Sequence, residues 1–303
     1  MTNTAPGKAT SGLATLGFAG LGVMGEPICR NIAVKSGAPT KVFDLSPAPM
    51  ERLAGHGATP VPDLKAMLAE VDILFLSLPG GPQVEAVIRG ENGVLAHGRE
   101  GLIVVDMSTA PVALTRELAQ ELAERGIRFA DAPVARTRQA AEDGTLSIMV
   151  GADDALFAEI RPYLAHAATD VTHCGPVGCG QVVKILNNMV LFENVVALSE
   201  ALALGKSAGV DCDLLFDTLS KGSADSFALR NHGMKAMLKD SFPEGAFPTD
   251  YALKDVSYAL DLAQTTGIHA PGAELAQARM EKARDAGFAA QYFPVLSRVV
   301  DRA

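Results

Sequence analysis

The sequence has no tryptophan, and aromatic residues make up only 5% of it. Base-stacking platforms for nucleic acids are built from such rings, so their scarcity argues against that partner. Basic side chains are also outnumbered. The 26 Lys and Arg face 35 Asp and Glu, a formal net charge of −9. That balance disfavours a phosphate backbone or an anionic membrane surface, but not small anions, which respond to local charge. Cysteine is limited to Cys29, Cys174, Cys179 and Cys212. None forms a C-x-x-C pair, and His173 alone lies near Cys174 and Cys179, so no metal site is expected. Buried free thiols in a reducing compartment are the simpler reading. No uninterrupted apolar stretch of membrane-spanning length is apparent. The opening MTNTAPGKATSG lacks the apolar centre of a signal peptide, so residues 1–12 are expected to be a disordered tail and the protein cytoplasmic.

What is present is an ordinary globular composition, 48% hydrophobic and 20% charged over 303 residues. That length exceeds a comfortable single core, so two domains are expected. In the first half, short apolar runs alternate with helical patterns. The runs are Leu13–Ala19, Lys41–Asp44, Val71–Leu78, Leu102–Asp106 and Phe129–Val134, with a hairpin-like Thr145–Val150 after an irregular Ala135–Gly144. This rhythm predicts an α/β fold with a Rossmann-type doubly wound parallel sheet over residues 13–174. From Gly175 onward the patterning is helical only: 182–204, 213–219, 231–238, 253–264 and 272–284. Residues 175–303 are therefore expected to form an all-α domain for substrate binding and oligomerisation, and a crevice between the domains is the expected place for a small ligand.

The first run leads into Gly20-Leu21-Gly22-Val23-Met24-Gly25 and then a helix. In such a G-x-G-x-x-G the glycines permit the tight turn, the approach of a pyrophosphate, and close helix–strand packing. The helix N-terminus adds free N–H groups and a positive dipole end. Asp44 ends the second strand 19 residues beyond Gly25. An acid there suits the ribose hydroxyls of NAD and repels the extra phosphate of NADP, although it can also cap the helix beginning near Ser46-Pro47. The cofactor is thus NAD, with NADP as the alternative. Leu78 and Pro79 close the third strand at a Gly/Pro loop and are expected beside the cofactor. Ser108 and Thr109 follow the fourth strand, as helix caps or as hydroxyls facing substrate and nicotinamide.

The other chemistry-bearing stretch is GPVGCGQVVKILNN, Gly175 to Asn188. Lys184 and Asn188 stand at i and i+4 on one helix face, with Asn187 beside them. An amine and an amide are costly to bury without partners, so they mark either a proton-handling site or side chains reaching water.

Taken together, these motifs resemble the β-hydroxyacid dehydrogenase family, which includes 3-hydroxyisobutyrate dehydrogenase and tartronate semialdehyde reductase. The resemblance runs from Leu16 to about Ala290. It rests on GFAGLGVMGEPICRNI at 17–32, DMST at 106–109, DAPV at 131–134, GTLSIMVG at 144–151, the G-x-G-x-x-x-K-x-x-N-N of 178–188, and Lys254-Asp255. It implies hydride exchange between NAD(P) and a small 3-hydroxy acid or its semialdehyde. Lys184 would be the general acid/base and Asn188 a substrate ligand. Ser108 and Thr109 would line the nicotinamide–substrate pocket, Lys254 would lie near the cofactor, and Phe247 would cover the site. The implied partner is a small anionic hydroxy acid or aldehyde, and a homodimer or homotetramer is expected. One departure stands out: Ala135-Arg136-Thr137-Arg138 replaces the family's Ser-Gly-Gly loop. Ala135 and Thr137 are expected to cradle the substrate's acid group. Arg136 is expected to fork onto it, as in sulfolactaldehyde reductases of the same family, while Arg138 points to solvent. An imine reductase would share the architecture but typically carries Asp or Tyr in place of Lys184. A 6-phosphogluconate dehydrogenase would have a much longer helical domain. A non-catalytic dinucleotide-binding module would bind cofactor without turnover.

Overall fold

A computed structural model describes residues 13–300, so the expected tail, residues 1–12, lies outside the described residues. The chain folds as two compact units. One comprises the residues up to Ser108 with Ala113–Gly180, the other Thr109–Val112 with the chain from Gln181 onward.

The first unit is built on one sheet. Its strands are β1 (Leu16–Ala19), β2 (Thr40–Phe43), β3 (Thr59–Pro60), β4 (Ile73–Leu76), β5 (Ile103–Asp106), β6 (Arg128–Asp131), β7 (Val134–Ala135), β8 (Leu146–Gly151) and β9 (Ala168–Gly175). The order is β3-β2-β1-β4-β5-β6-β8-β7, and β9 pairs with β8. From β3 to β6 all pairings are parallel; β8 runs antiparallel to β6 and β7. The parallel part is the doubly wound arrangement of dinucleotide-binding folds, with its switch point between β1 and β4. β1, β4 and β5 are buried on both faces, which is why they read as unbroken apolar runs. Phe18 and Phe75 stack at 4.7 Å across β1 and β4 in one core layer. Ala19, Leu74 and Leu76 face the other layer, with Leu118 and Leu122.

The crossover helices are α1 (Gly25–Ser36), α2 (Pro47–Ala54), α3 (Leu64–Leu68), α4 (Gly81–Arg89), α5 (Val94–His97), α6 (Val112–Ala123), α7 (Arg138–Asp143) and α8 (Asp154–Leu164). The helix α7 departs from the irregular stretch expected at Ala135–Gly144. Local signals suffice to make it: Thr137 Oγ1 accepts from Ala140 N–H at 3.3 Å, and Gly144 closes it at φ 70°. β9 follows no alternating pattern that the sequence reading could use, since its residues are mixed in burial along its length.

The second unit is helical: α9 (Cys179–Ser207), α10 (Cys212–Leu219), a π-helical turn at Leu229–Met237, α11 (Thr249–Thr266), α12 (Pro271–Ala283) and a closing 3₁₀ segment at Phe293–Val299. Phe192, Val195, Phe216, Val256, Met280 and Phe293 form its core. α9 is long and apolar enough to cross a bilayer by length and composition. It nevertheless carries Lys184, Glu193 and Glu200 and buries Ile185, Phe192 and Val195 inside the fold, as a core helix does.

The observed division falls inside α9, six residues beyond the expected limit at Cys174, and Thr109–Val112 joins the second unit. Side-chain contacts explain both features. Ala110 N–H donates to Gln181 Oε1 at 3.1 Å, and Val112 packs with Ile185, Tyr258 and Ala259. Gly178 and Gly180 instead pack against strands of the first unit.

Candidate active site

In the first unit, the glycine-rich turn joins β1 to α1. Its three glycines answer to different constraints. Gly20 has φ 90°, and a Cβ there would strike the Ser77 carbonyl. A Cβ on Gly25 would collide with the Gly20 carbonyl group. At Gly22 a Cβ would meet no protein atom within 4 Å. Gly22 instead faces a cavity of about 350 Å³, lined among others by Leu21, Val23, Asp44, Arg52 and Arg138. Packing explains Gly20 and Gly25; space for a ligand explains Gly22. The residues present therefore fit a bound dinucleotide.

Asp44 is part of that cavity wall. Its Oδ2 accepts from Leu21 N–H at 2.6 Å and its Oδ1 from Ser46 N–H at 2.8 Å. Asp44 thus braces the turn as well as facing the cavity, while the α2 N-cap, Ser46, makes no side-chain cap. Ser108 is buried: its N–H donates to Asp106 Oδ1, and its Oγ accepts from Leu78 N–H, both at 2.9 Å. This ties the loop after β5 to the end of β4. Leu78 is half-buried and Pro79 exposed beside it, and Thr109 is half-buried.

The arginine of the expected substrate loop behaves differently from the sequence reading. Arg136 has φ 88°, a backbone conformation that favours glycine. Its guanidinium does not stand out as an anion fork. It donates to the Thr145 carbonyl, to Thr169 Oγ1 at 2.7 Å and to Asp170 Oδ2 at 2.6 Å. Those bonds anchor the residue after β7 to Thr145 and to β9, so an anion fork from Arg136 would have to compete with Asp170. Thr137 likewise serves as the α7 N-cap, while Ala135 lies half-buried in β7.

In the second unit, Lys184, Asn188, Lys254 and Asp255 form one chain of contacts. Lys184 Nζ donates to Asn188 Oδ1 at 3.1 Å, and Asn187 Nδ2 donates to the same oxygen at 3.1 Å. Asn188 Nδ2 donates to Asp255 Oδ2 at 2.7 Å. Lys254 Nζ lies 2.9 Å from Asp255 Oδ1 as an ion pair without hydrogen-bond alignment, and it faces the rings of Tyr258 and Tyr251 at 5.1 and 5.6 Å. Asn188 and Asp255 are buried, at 2% and 4% exposure. Burial pushes the Lys184 amine below its ordinary range; the Asp255 carboxylate works against that shift and Lys254 reinforces it. The i, i+4 spacing therefore delivers a lysine held near a buried carboxylate through an amide. Phe247 packs with Phe192 and Phe293, centroids 6.0 and 5.5 Å away, within the helical core. Among the described residues no group of three or more His, Cys, Asp or Glu could hold a metal ion.

Three residues carry weight that the sequence reading did not give them. Asp255 is the anionic end of the Lys184 chain. Asp131, fully buried at the end of β6, accepts from Gly178 N–H at 2.6 Å at the start of α9. A Cβ on Gly180 would fall 2.7 Å from Asp131 Oδ2 and 2.9 Å from Gly151 N. Gly180 therefore makes room for a buried carboxylate, while Gly178, at φ 91°, donates its N–H to that carboxylate and would bring a Cβ against the Arg116 side chain. Gln181, fully buried, holds the Ala110 backbone one helical turn ahead of Lys184. The motifs contained all three; nothing in their spacing distinguished them from packing residues.

Comparison with known proteins fits this picture. Residues 15–175 match the NAD-binding domain of 6-phosphogluconate dehydrogenase, and residues 178–298 match the NAD-binding domain of NADP-dependent 3-hydroxyisobutyrate dehydrogenase. The chain is 36% identical to 2-(hydroxymethyl)glutarate dehydrogenase of Eubacterium barkeri, over 90% of each chain. It is also 36% identical to 2-hydroxy-3-oxopropionate reductase of Escherichia coli, over 86% of this chain and 88% of that protein. Among solved structures, 3-hydroxyisobutyrate dehydrogenase of Mycobacterium tuberculosis with L-serine superposes with a TM-score of 0.86 at 30% identity, covering 96% of this chain and 100% of that one. With two dinucleotide-type family matches spanning both units and relatives covered almost end to end, the chain belongs to the β-hydroxyacid dehydrogenase family of NAD(P)-dependent oxidoreductases.

Proposed function

We propose that this enzyme interconverts a small 3-hydroxy carboxylic acid and its semialdehyde, with Lys184 moving the proton. The observation that carries this reading is the chain Lys184–Asn188–Asp255–Lys254 on α9 and α11. The nicotinamide supplies or accepts the hydride. In oxidation, neutral Lys184 Nζ takes the proton from the substrate hydroxyl as the C–H electron pair leaves with the hydride. In reduction, the Lys184 ammonium gives its proton to the carbonyl oxygen as hydride reaches the carbonyl carbon, leaving the alcohol and a neutral lysine. Burial lowers the Lys184 pKa, which makes the amine a better proton donor in reduction and more readily neutral for oxidation.

Asn188 acts from behind the lysine. Its Oδ1 is occupied by two donors, and its Nδ2 is held by Asp255, so it orients Lys184 and transmits the Asp255 charge. That is a change from the substrate ligand expected from the motif. We assign the substrate's acid group to Ser108 and the backbone of Ala135–Thr137, where left-handed Arg136 turns the chain. Thr109, Lys254, Leu78 and Pro79 are assigned to the nicotinamide side, and Phe247 to the substrate cover. Asp44, facing the cavity at the glycine-rich turn, favours NAD over NADP.

The test is turnover on a panel of 3-hydroxyisobutyrate, D- and L-glycerate, L-serine, 4-hydroxybutyrate and dihydroxypropanesulfonate, with NAD and NADP in parallel. The expected result is NAD-linked oxidation of a 3-hydroxy carboxylate in preference to the sulfonate. NADH binding without turnover of any panel member would contradict the substrate assignment.

A further inference from the structure

Arg138 lines the same cavity as Leu21, Gly22 and Val23 of the glycine-rich turn. The sequence reading sends this side chain to solvent. The inference rests on that cavity being the dinucleotide site of the first unit.

Two sets of contacts fix where Arg138 stands. It is the first residue of α7, behind the Thr137 cap. α7 in turn is bound to α1, the helix that begins at Gly25. Asn31, 8% exposed, donates through Nδ2 to the Pro27 carbonyl at 3.0 Å and to the Ala141 carbonyl at 2.9 Å. Arg30 Nη2 donates to Glu142 Oε2 at 2.7 Å and to the Glu142 carbonyl at 3.2 Å. The helix that presents Arg138 is therefore held by the helix that follows the glycine-rich turn.

The charges of the cavity wall are otherwise engaged. Arg52 places Nε and Nη2 on the two oxygens of Glu26, at 2.6 and 2.7 Å. Asp44 accepts from two backbone N–H groups. Glu142 Oε2 accepts from Arg30, and Arg138 Nε lies 3.9 Å from Glu142 Oε1, a loose i, i+4 ion pair beyond hydrogen-bond reach. Among the described residues lining this cavity, Arg138 is the cation whose guanidinium has no hydrogen-bonded carboxylate. It lies on the wall shared with Gly22, where the missing Cβ leaves room for a ligand.

We propose that Arg138 binds the diphosphate of the dinucleotide, closing on it from α7 while the glycine-rich turn holds it from α1. A planar guanidinium suits a phosphate, and its five donors can take two oxygens at once. The loop that departs from the family's Ser-Gly-Gly thus contributes one arginine to structure, Arg136, and the other to the cofactor.

The test is equilibrium binding by calorimetry, with NADH, ADP and adenosine as probes, on wild type and Arg138→Gln. Adenosine is read by its displacement of NADH. Arg138 is an exposed side chain, so Arg138→Gln should melt like wild type. The expected result is about tenfold weaker binding of both NADH and ADP, with adenosine unchanged. Glu142→Gln, which removes the competing carboxylate, should leave ADP binding equal or tighter. Unchanged ADP affinity in Arg138→Gln would overturn the proposal, and so would an equal loss for adenosine, which has no phosphate. Failure of wild type to bind either NADH or ADP would instead remove the dinucleotide site on which the inference rests.

Discussion

Gly22 and Gly25 belong to one hexapeptide, yet alanine at each should fail in a different assay. At Gly22 a Cβ meets nothing within 4 Å, and the residue does not need a positive φ. Gly22→Ala should therefore change folding stability by no more than about 0.5 kcal/mol. Its methyl group occupies cavity space, however, and keeps a phosphate from the backbone. Loss of one charge-assisted hydrogen bond, about 1.5–3 kcal/mol, corresponds to roughly 10- to 100-fold weaker NADH binding. At Gly25 a Cβ would lie 3.0 Å from the Gly20 carbonyl carbon, closer still to its oxygen, and 3.1 Å from Ser77 Cβ. The first obstacle is backbone, so α1 must shift away from β1. Overpacking of this kind costs about 1–3 kcal/mol, against at most about 1 kcal/mol gained by alanine in a helix. A net loss of about 1–2 kcal/mol lowers the melting temperature by roughly 2–8 °C. Thermal melts of both apo variants, followed by NADH titration, separate the two. Equal destabilisation by both substitutions, or wild-type NADH affinity in Gly22→Ala, would refute the division of roles.

Two pH dependences follow from buried groups. Asp255→Asn keeps an acceptor for Asn188 but removes the charge that raises Lys184. The basic group in the pH profile of kcat/KM should then titrate at lower pH than in wild type; an unmoved or raised limb would show that Asp255 does not act on Lys184. His232 is 6% exposed, bonded through Nδ1 to Tyr292 OH, and burial lowers its pKa to about 4. Below pH 6.5 the unfolded chain takes up a proton that the folded one resists. The stability is therefore full above pH 6.5 and lost as pH falls through 4, by at most about 3 kcal/mol. Urea melts of wild type and His232→Asn at pH 7 and pH 4.5 should show a smaller acid decrement in the variant, and identical decrements would rule His232 out as the source.

The sequence made the α/β sheet legible because β1, β4 and β5 are buried on both faces and need continuous apolar residues. The glycine-rich turn was legible for a similar reason, since Gly20 and Gly25 answer to backbone collisions that only glycine avoids. Lys184 and Asn188 declared themselves by helical spacing on an apolar background. Other features were silent. β9 mixes buried and exposed residues without a period, and α7 is a single short helix made by Thr137 and Gly144 rather than by an apolar stripe. The fate of Arg136 depended on Thr169 and Asp170, more than thirty residues away, and no local pattern reports such a partner. The place of Arg138 depended in the same way on Asn31 holding Ala141. Asp255 and Asp131 were visible as motif letters, but their chemistry comes from what the fold brings within 2.7 Å of them.

The central claim, that Lys184 moves the proton, is tested most directly by Lys184→Met, which keeps the length of the side chain and deletes the amine. NADH affinity and single-turnover reduction of the semialdehyde would be measured on the same preparation. The expected result is NADH binding within about threefold of wild type, with the turnover step slowed by roughly 10²- to 10⁴-fold, the range of a lost general acid. A variant that binds NADH and reduces the semialdehyde at a near wild-type rate would contradict the role of Lys184.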